Sequence, residues 1–183
     1  MTRSTTPLSA SSTSPSTTFD PGQLLTALAG IGEDAWSLPS RFTETGVHHG
    51  YRRVVLVNNG HHKPHAELFG FVWDAMHPIR DATLSRIDPG GFIAPHRDGG
   101  PWQQRWQIPI VASGQWHAQE TFNPQPGKAF EARHWEQHAV TNRGDGPRIH
   151  LVVDRDIPVD REALPFATFP VPADMADLIE RSV

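Results

Sequence analysis

From residue 82 onward the sequence is a succession of short β-prone runs: ATLSRI, GFIAPH, RWQIPIVAS, QWHAQETF, KAFEAR, QHAVTN and RIHLVVD. Between them stand turn-forming groups: Asp88-Pro89-Gly90-Gly91, Asp98-Gly99-Gly100-Pro101, Asn123-Pro124, Pro126-Gly127 and Gly144-Asp145-Gly146-Pro147. Proline fixes φ and glycine reaches backbone conformations that side chains disfavour, so such groups reverse a chain. About seven short strands at roughly 8–12-residue spacing close into a β-sandwich or barrel rather than a parallel βαβ sheet.

Helices are expected ahead of the strands. Asp20 suits an N-cap and Pro21 the first helical position, with Leu24, Leu25, Leu28 and Ile31 at helical spacing and stops at Gly30 and Gly32. Residues 51–57 read as a strand, and residues 66–76 as a second helix with Leu68, Phe69, Val72 and Met76 on one side. Residues 172–183 read as a short terminal helix with Met175, Leu178 and Ile179 on its apolar side. Residues 1–18 are mostly Ser, Thr, Pro and Ala, too polar to offset the entropy of ordering, and are expected to form a disordered tail. The expected architecture is mainly β with flanking helices: one domain over residues 19–183, a jelly roll over about 82–156 at its centre, and helices on one outer face.

Composition removes several chemistries. There is no cysteine, so disulfides, thiolate metal sites and a cysteine nucleophile are excluded. A formal charge of −4 argues against a nucleic-acid binder, which needs a basic face. No run of apolar residues reaches membrane-spanning length, and the first twenty residues lack the apolar core of a secretory leader. A cytoplasmic protein without a membrane partner is the expectation. Eleven histidines are present, and only their spacing selects among them.

The spacing that matters is His96-Arg97-Asp98. On a strand, residues i and i+2 face the same way, so an imidazole and a carboxylate meet one ion while Arg97 points aside. A histidine from another strand completes a two-histidine, one-carboxylate facial triad, which leaves positions open and is typical of non-haem iron(II) oxygenases. His134 and His138 both compete for that place. His138 is preferred because it begins an apolar strand and stands ten residues before Arg148, whose guanidinium suits the far carboxylate of a dicarboxylate.

Residues from about 78 to 156 resemble the aspartyl/asparaginyl β-hydroxylase family, which also takes in bacterial proline hydroxylases. The matching pieces are P-G-G-x-I-x-P-H-R-D (residues 89–98), R-x-Q-x-P (105–109), Gly127-Lys128, His138 with Asn142, and R-I-H-L-V-V-D (148–154). The resemblance implies a double-stranded β-helix of the cupin-like, jelly-roll kind, with Fe(II), 2-oxoglutarate as co-substrate and O2. Decarboxylation of the co-substrate is coupled in that family to hydroxylation of an amino-acid side chain. His96 and His138 match the two iron histidines, and Asp98 matches a carboxylate that many bacterial members keep and animal members lack. Ser85 and Arg148 match the co-substrate's serine and arginine contacts. Arg105 and Gln107 match an Arg-x-His pair near the co-substrate, with Gln107 in the place of the histidine.

The substrate so implied is a small molecule or peptide of amino-acid type, hydroxylated on a free amino acid or on an Asp- or Asn-like residue. Arg97, Trp102, Trp106, Trp116, His117 and His134 are candidates for the mouth of the site. Alternatives are the same machinery giving desaturation, epoxidation or cyclisation, a metal-dependent cupin enzyme that does not use 2-oxoglutarate, and a non-catalytic ligand-binding jelly roll.

Overall fold

Side-chain alternation along one long strand decides where the core and the site lie. The computed structural model describes residues 17–37, 48–98, 103–118 and 120–159; residues 1–16, Trp102 and the expected helix at 172–183 lie outside them. The described elements are α1 (Pro21–Ala29), β1 (His48–Asn58), β2 (His61–His62), α2 (Gly70–Met76), β3 (Ile79–His96), β4 (Gln103–Val111), β5 (Gln115–His117), β6 (Thr121–Phe122), β7 (Phe130–Glu131), β8 (His138–Thr141) and β9 (Arg148–Pro158). All strand pairs are antiparallel, in the order β6-β5-β8-β3-β9-β4-β7, with β1 beside β3 and β2 beside β1.

β3 joins the two halves of this curled sheet. Its first part, up to Ile87, pairs with β9, and its last part, from Phe92 to His96, pairs with β8. β1 follows both parts, with a register shift between His49 and Tyr51. Asp88-Pro89-Gly90-Gly91 therefore bends one continuous strand, where the sequence reads as two strands and a turn. Gly90, at φ +75°, supplies the bend. Because β1 pairs along β3, the strand expected at 51–57 joins the same sheet, which among the described residues begins at residue 48, ahead of the jelly-roll core expected at about 82.

The outer face carries the main core. Val54 and Leu56 from β1, Ala82 and Leu84 from β3, Ile108 and Ile110 from β4, and Leu151 and Val153 from β9 are all buried there. They pack with Leu24 and Ala27 of α1 and with Phe69, Val72, Trp73 and Met76 around α2. Each buried Val, Leu, Ile, Phe or Met side chain contributes about 1.5–3 kcal/mol by leaving water. Asp20 caps α1 by accepting from the Gly22 amide at 2.9 Å. Leu25, expected on the apolar side, is 47% exposed, since the helix turns Leu24 and Ala27 inward instead. The second helix is a 3-10 turn, Ala66–Phe69, followed by α2. Thr17 and Thr18, grouped with the tail by composition, are paired to the loop at Lys128 and Ala129.

Between β4 and β5 the chain turns at Gly114, φ +84°, against the backbone of β8. A Cβ there would lie 1.9 Å from the Thr141 carbonyl oxygen. Gly114→Ala combines a left-handed backbone with overlap against backbone, two effects of about 1–3 kcal/mol each. The expected loss is about 3 kcal/mol or more, read from the urea unfolding midpoint, and a loss below about 1 kcal/mol would contradict this packing.

Candidate metal and co-substrate site

Inside the curl the alternate residues of the same strands line a cavity of about 600 Å³. Thr83 and Ser85 of β3, Val152 and Asp154 of β9, Arg105 and Gln107 of β4, and Tyr51 of β1 all face it. The register explains the grouping: Thr83 and Gln107 flank Val152, while Asp154 stands across from Arg105. His96 and His138 are direct cross-strand partners on β3 and β8, and both reach the same cavity.

His96, Asp98 and His138 each offer an atom within 4.8 Å of the others. The His96 and His138 rings have centroids 4.3 Å apart, and His96 Nε2 is 3.4 Å from Asp98 Oδ1. Both imidazoles are oriented by the same local device. His96 Nδ1 bonds the Ala94 carbonyl at 2.8 Å, and His138 Nδ1 bonds the Glu136 carbonyl at 3.0 Å. A carbonyl only accepts, so each Nδ1 carries the hydrogen and each Nε2 keeps its lone pair for a metal. Trp116 stacks on His138 at 5.2 Å and 10°, fixing the ring plane. Two imidazole nitrogens and one carboxylate suit a first-row divalent ion such as iron(II).

The charges are set accordingly. Burial alone raises the Asp98 carboxyl, but the adjacent His96 ring and the Arg105 guanidinium hold it well below the usual carboxylate range. Burial, then the His96 ring, lowers His138 to about 4, so it is neutral and able to ligate at pH 7. Burial likewise lowers His134 to about 4 and His150 well below its ordinary value. A histidine whose folded pKa lies below its unfolded one costs stability as pH falls through that interval. The metal-free protein is therefore expected to lose stability between about pH 6.5 and pH 4, by up to about 1.4 kcal/mol per pH unit for each such histidine. Urea midpoints across that range check this, and a flat profile would contradict buried neutral histidines.

Arg148 is the least usual group in the cavity. It is 2% exposed, its Nε meets no partner, and no carboxylate pairs with it among the described residues. Burial pushes its guanidinium down to about 9, still protonated at neutral pH. Its Nη2 lies 3.2 Å from His150 Nδ1, which also lies 3.2 Å from Gln107 Oε1. That nitrogen either accepts from Arg148 or donates to Gln107, not both, so the pair does not satisfy the arginine. A buried cation without a counter-charge is costly in the empty protein and is satisfied by an incoming carboxylate. Ser85 is buried beside it in the same cavity, its side chain hydrogen-bonded to Tyr51, whose phenol burial raises above its ordinary value.

Of the residues read from sequence, His96, Asp98, His138, Ser85, Arg105, Gln107, Arg148, Arg97 and Trp116 line the cavity together. Arg97, expected to point aside, is exposed at its rim. Three candidates for the mouth are placed elsewhere. His117 is buried between the Thr121 and Thr141 hydroxyls, and His134 Nε2 bonds the Gln103 carbonyl, so neither is on the cavity wall. His134 is thereby also removed from the contest for third ligand. Trp106 lies in the outer-face core because β4 alternates it away from Arg105 and Gln107. Tyr51, Arg53 and Asp154 line the cavity and were not singled out by sequence. Strand alternation links Tyr51 to Arg53, but no local signal places β1 beside β3.

A family model described as aspartyl/asparaginyl beta-hydroxylase matches residues 34–158. No curated protein matches the chain. Among solved structures, a prolyl-4-hydroxylase from Pseudomonas putida is 13% identical over 74% of this chain and 85% of its own, with a TM-score of 0.49. The viral collagen prolyl hydroxylase of Paramecium Bursaria Chlorella virus-1, solved as a 2OG complex, is 11% identical over 74% and 90%, with a TM-score of 0.48. A cupin-2 domain from Rhodospirillum rubrum is 14% identical over 78% and 77%, with a TM-score of 0.44. The family match takes in every strand from β1 to β9 and the whole His96, Asp98, His138 cluster, and the chain accordingly belongs to the aspartyl/asparaginyl beta-hydroxylases.

Proposed function

We propose that this hydroxylase is an Fe(II)- and 2-oxoglutarate-dependent dioxygenase acting on a C–H bond of an amino acid, or of an Asp- or Asn-like residue in a peptide. The observation that carries the reading is the pairing, in one cavity, of a two-histidine, one-carboxylate cluster with a buried arginine that has no carboxylate partner among the described residues. An ion held by three protein groups keeps open positions, and a dicarboxylate whose far end needs a fixed cation answers the second half.

Bound iron(II) would supply oxidation by O2 coupled to decarboxylation of 2-oxoglutarate to succinate. The protein's own residues do the rest. His96, Asp98 and His138 hold the metal with both imidazoles in the Nδ1–H form. Arg148 receives the far carboxylate of the co-substrate as a charge-assisted pair, with the Ser85 hydroxyl a further donor in the same cavity. Trp116 and Val140 cover one side of the cluster with apolar surface, limiting water. No acid–base pair is needed, because the protein positions the groups and the cofactor carries the oxidation.

The test is succinate release with Fe(II), ascorbate and air across a panel of amino acids and short peptides. Stimulation by at least one of them, absent in His138→Ala, is the expected result. Iron-dependent turnover of a substrate with no consumption of 2-oxoglutarate would contradict the reading and favour a cupin enzyme of another kind.

A further inference from the structure

Arg105 is engaged in a way its resemblance to a co-substrate contact does not anticipate. Its Nε donates to Asp154 Oδ1 at 2.6 Å and its Nη2 donates to Asp154 Oδ2 at 2.8 Å. This is the two-pronged geometry that a planar guanidinium makes with a carboxylate. The pairing is built into the sheet, because Arg105 and Asp154 are cross-strand partners on β4 and β9. The third nitrogen, Nη1, donates to Asp98 Oδ2. Asp98 Oδ1 stays turned toward His96 Nε2, 3.4 Å away.

We propose that Asp154 and Arg105 are positioning residues for the metal-binding carboxylate, Asp154 fixing the plane of Arg105 and Arg105 holding Asp98 Oδ2 so that Oδ1 is presented to the metal. The proposal rests on the metal site proposed above. Asp98 lies two residues past the end of β3, and its side chain is 27% exposed, so water and other rotamers compete for it. Its backbone is held by a bond from its amide to the His134 carbonyl, but nothing in that bond sets the carboxyl's rotation. A guanidinium clamped on its other edge does set it. The clamp also spends the Nε–Nη2 edge of Arg105, the one a co-substrate carboxylate would otherwise grip in two-pronged fashion. The arrangement depends on a carboxylate at position 98, so it has no use in a relative that lacks one.

The experiment is calorimetric titration of Mn(II), without 2-oxoglutarate, into the full chain and into Arg105→Met, Arg105→Lys, Asp154→Asn, Asp98→Ala and the Arg105→Met/Asp98→Ala double variant. Loss of a group that orients a ligand weakens metal binding about ten- to a hundredfold, and that is the loss expected for Arg105→Met. Asp154→Asn keeps the size of the side chain and is expected to lose less, and Arg105→Lys to recover part of the loss. In the Asp98→Ala background the Arg105→Met change is expected to have no further effect. Should Arg105→Met not fold, Asp154→Asn and Arg105→Lys read the same quantity. Unchanged Mn(II) affinity in the single variants, or the same factor lost in both backgrounds, overturns the proposal and leaves Arg105 a co-substrate contact or a structural pair. Absence of Mn(II) binding to the unaltered chain would instead overturn the metal site itself, and the relay with it.

Discussion

His138→Ala is expected to lower iron(II) affinity by well over a hundredfold and to remove turnover altogether. Groups that only orient a metal ligand contribute about ten- to a hundredfold, so loss of a ligand exceeds that range. The side chain is almost fully buried between Trp116 and His96, with its Nδ1 tied to the Glu136 carbonyl. His134 cannot take over its Nε2, because it is turned to the Gln103 carbonyl and held away from the cavity wall. Alanine leaves a hole beside Trp116, so His138→Gln serves as the companion that keeps the volume and loses the imidazole. Both are expected to fold, by circular dichroism, and to bind iron no better than background. Iron retained at one equivalent in either variant would show that the ligand is misassigned.

Arg148→Met is the second large effect, and its two halves run in opposite directions. Without ligand the arginine is a buried charge with no opposite charge beside it among the described residues. An apolar side chain of similar length removes that penalty, so the ligand-free variant is expected to be as stable as the parent, or more stable by about 1–3 kcal/mol. With ligand the balance reverses. Truncating one partner of a buried charge pair costs about 2–5 kcal/mol, which puts the loss of 2-oxoglutarate affinity at roughly thirty- to several-thousandfold. Thermal unfolding with and without 2-oxoglutarate reads both. A variant that is strongly destabilised when ligand-free would reveal a hidden counter-charge for Arg148, and one with unchanged co-substrate affinity would remove its assigned role.

The fold class and the clustering of the candidate residues were legible from local spacing, while the strand pairing that assembles them was not. His96 and Asp98 are two residues apart, and the two-residue period of a strand anticipates their common side although β3 ends at His96. His138 and Arg148 stand at the starts of apolar runs, and those runs are β8 and β9. What stayed hidden depends on pairing between distant strands. The bend at Asp88-Pro89-Gly90-Gly91 has the composition of a turn, and only its pairing with β1 on both sides makes it a bend in one strand. Tyr51 and Arg53 were missed for the same reason, since nothing local says that β1 lies beside β3. Trp106, His117 and His134 were read as mouth residues by composition, but alternation on β4 and the threonine and carbonyl partners inside the fold hold them elsewhere. Arg105 was legible as an interior arginine; that it serves Asp98 and Asp154 could be read only from the β4–β9 register.

The most direct measurement is an anaerobic calorimetric titration of 2-oxoglutarate into the protein, once metal-free and once loaded with iron(II). One site per chain is expected, at least tenfold tighter with iron present and weakened beyond detection in Arg148→Met. Failure of the iron-loaded protein to bind 2-oxoglutarate, or equal affinity with and without iron, would contradict it.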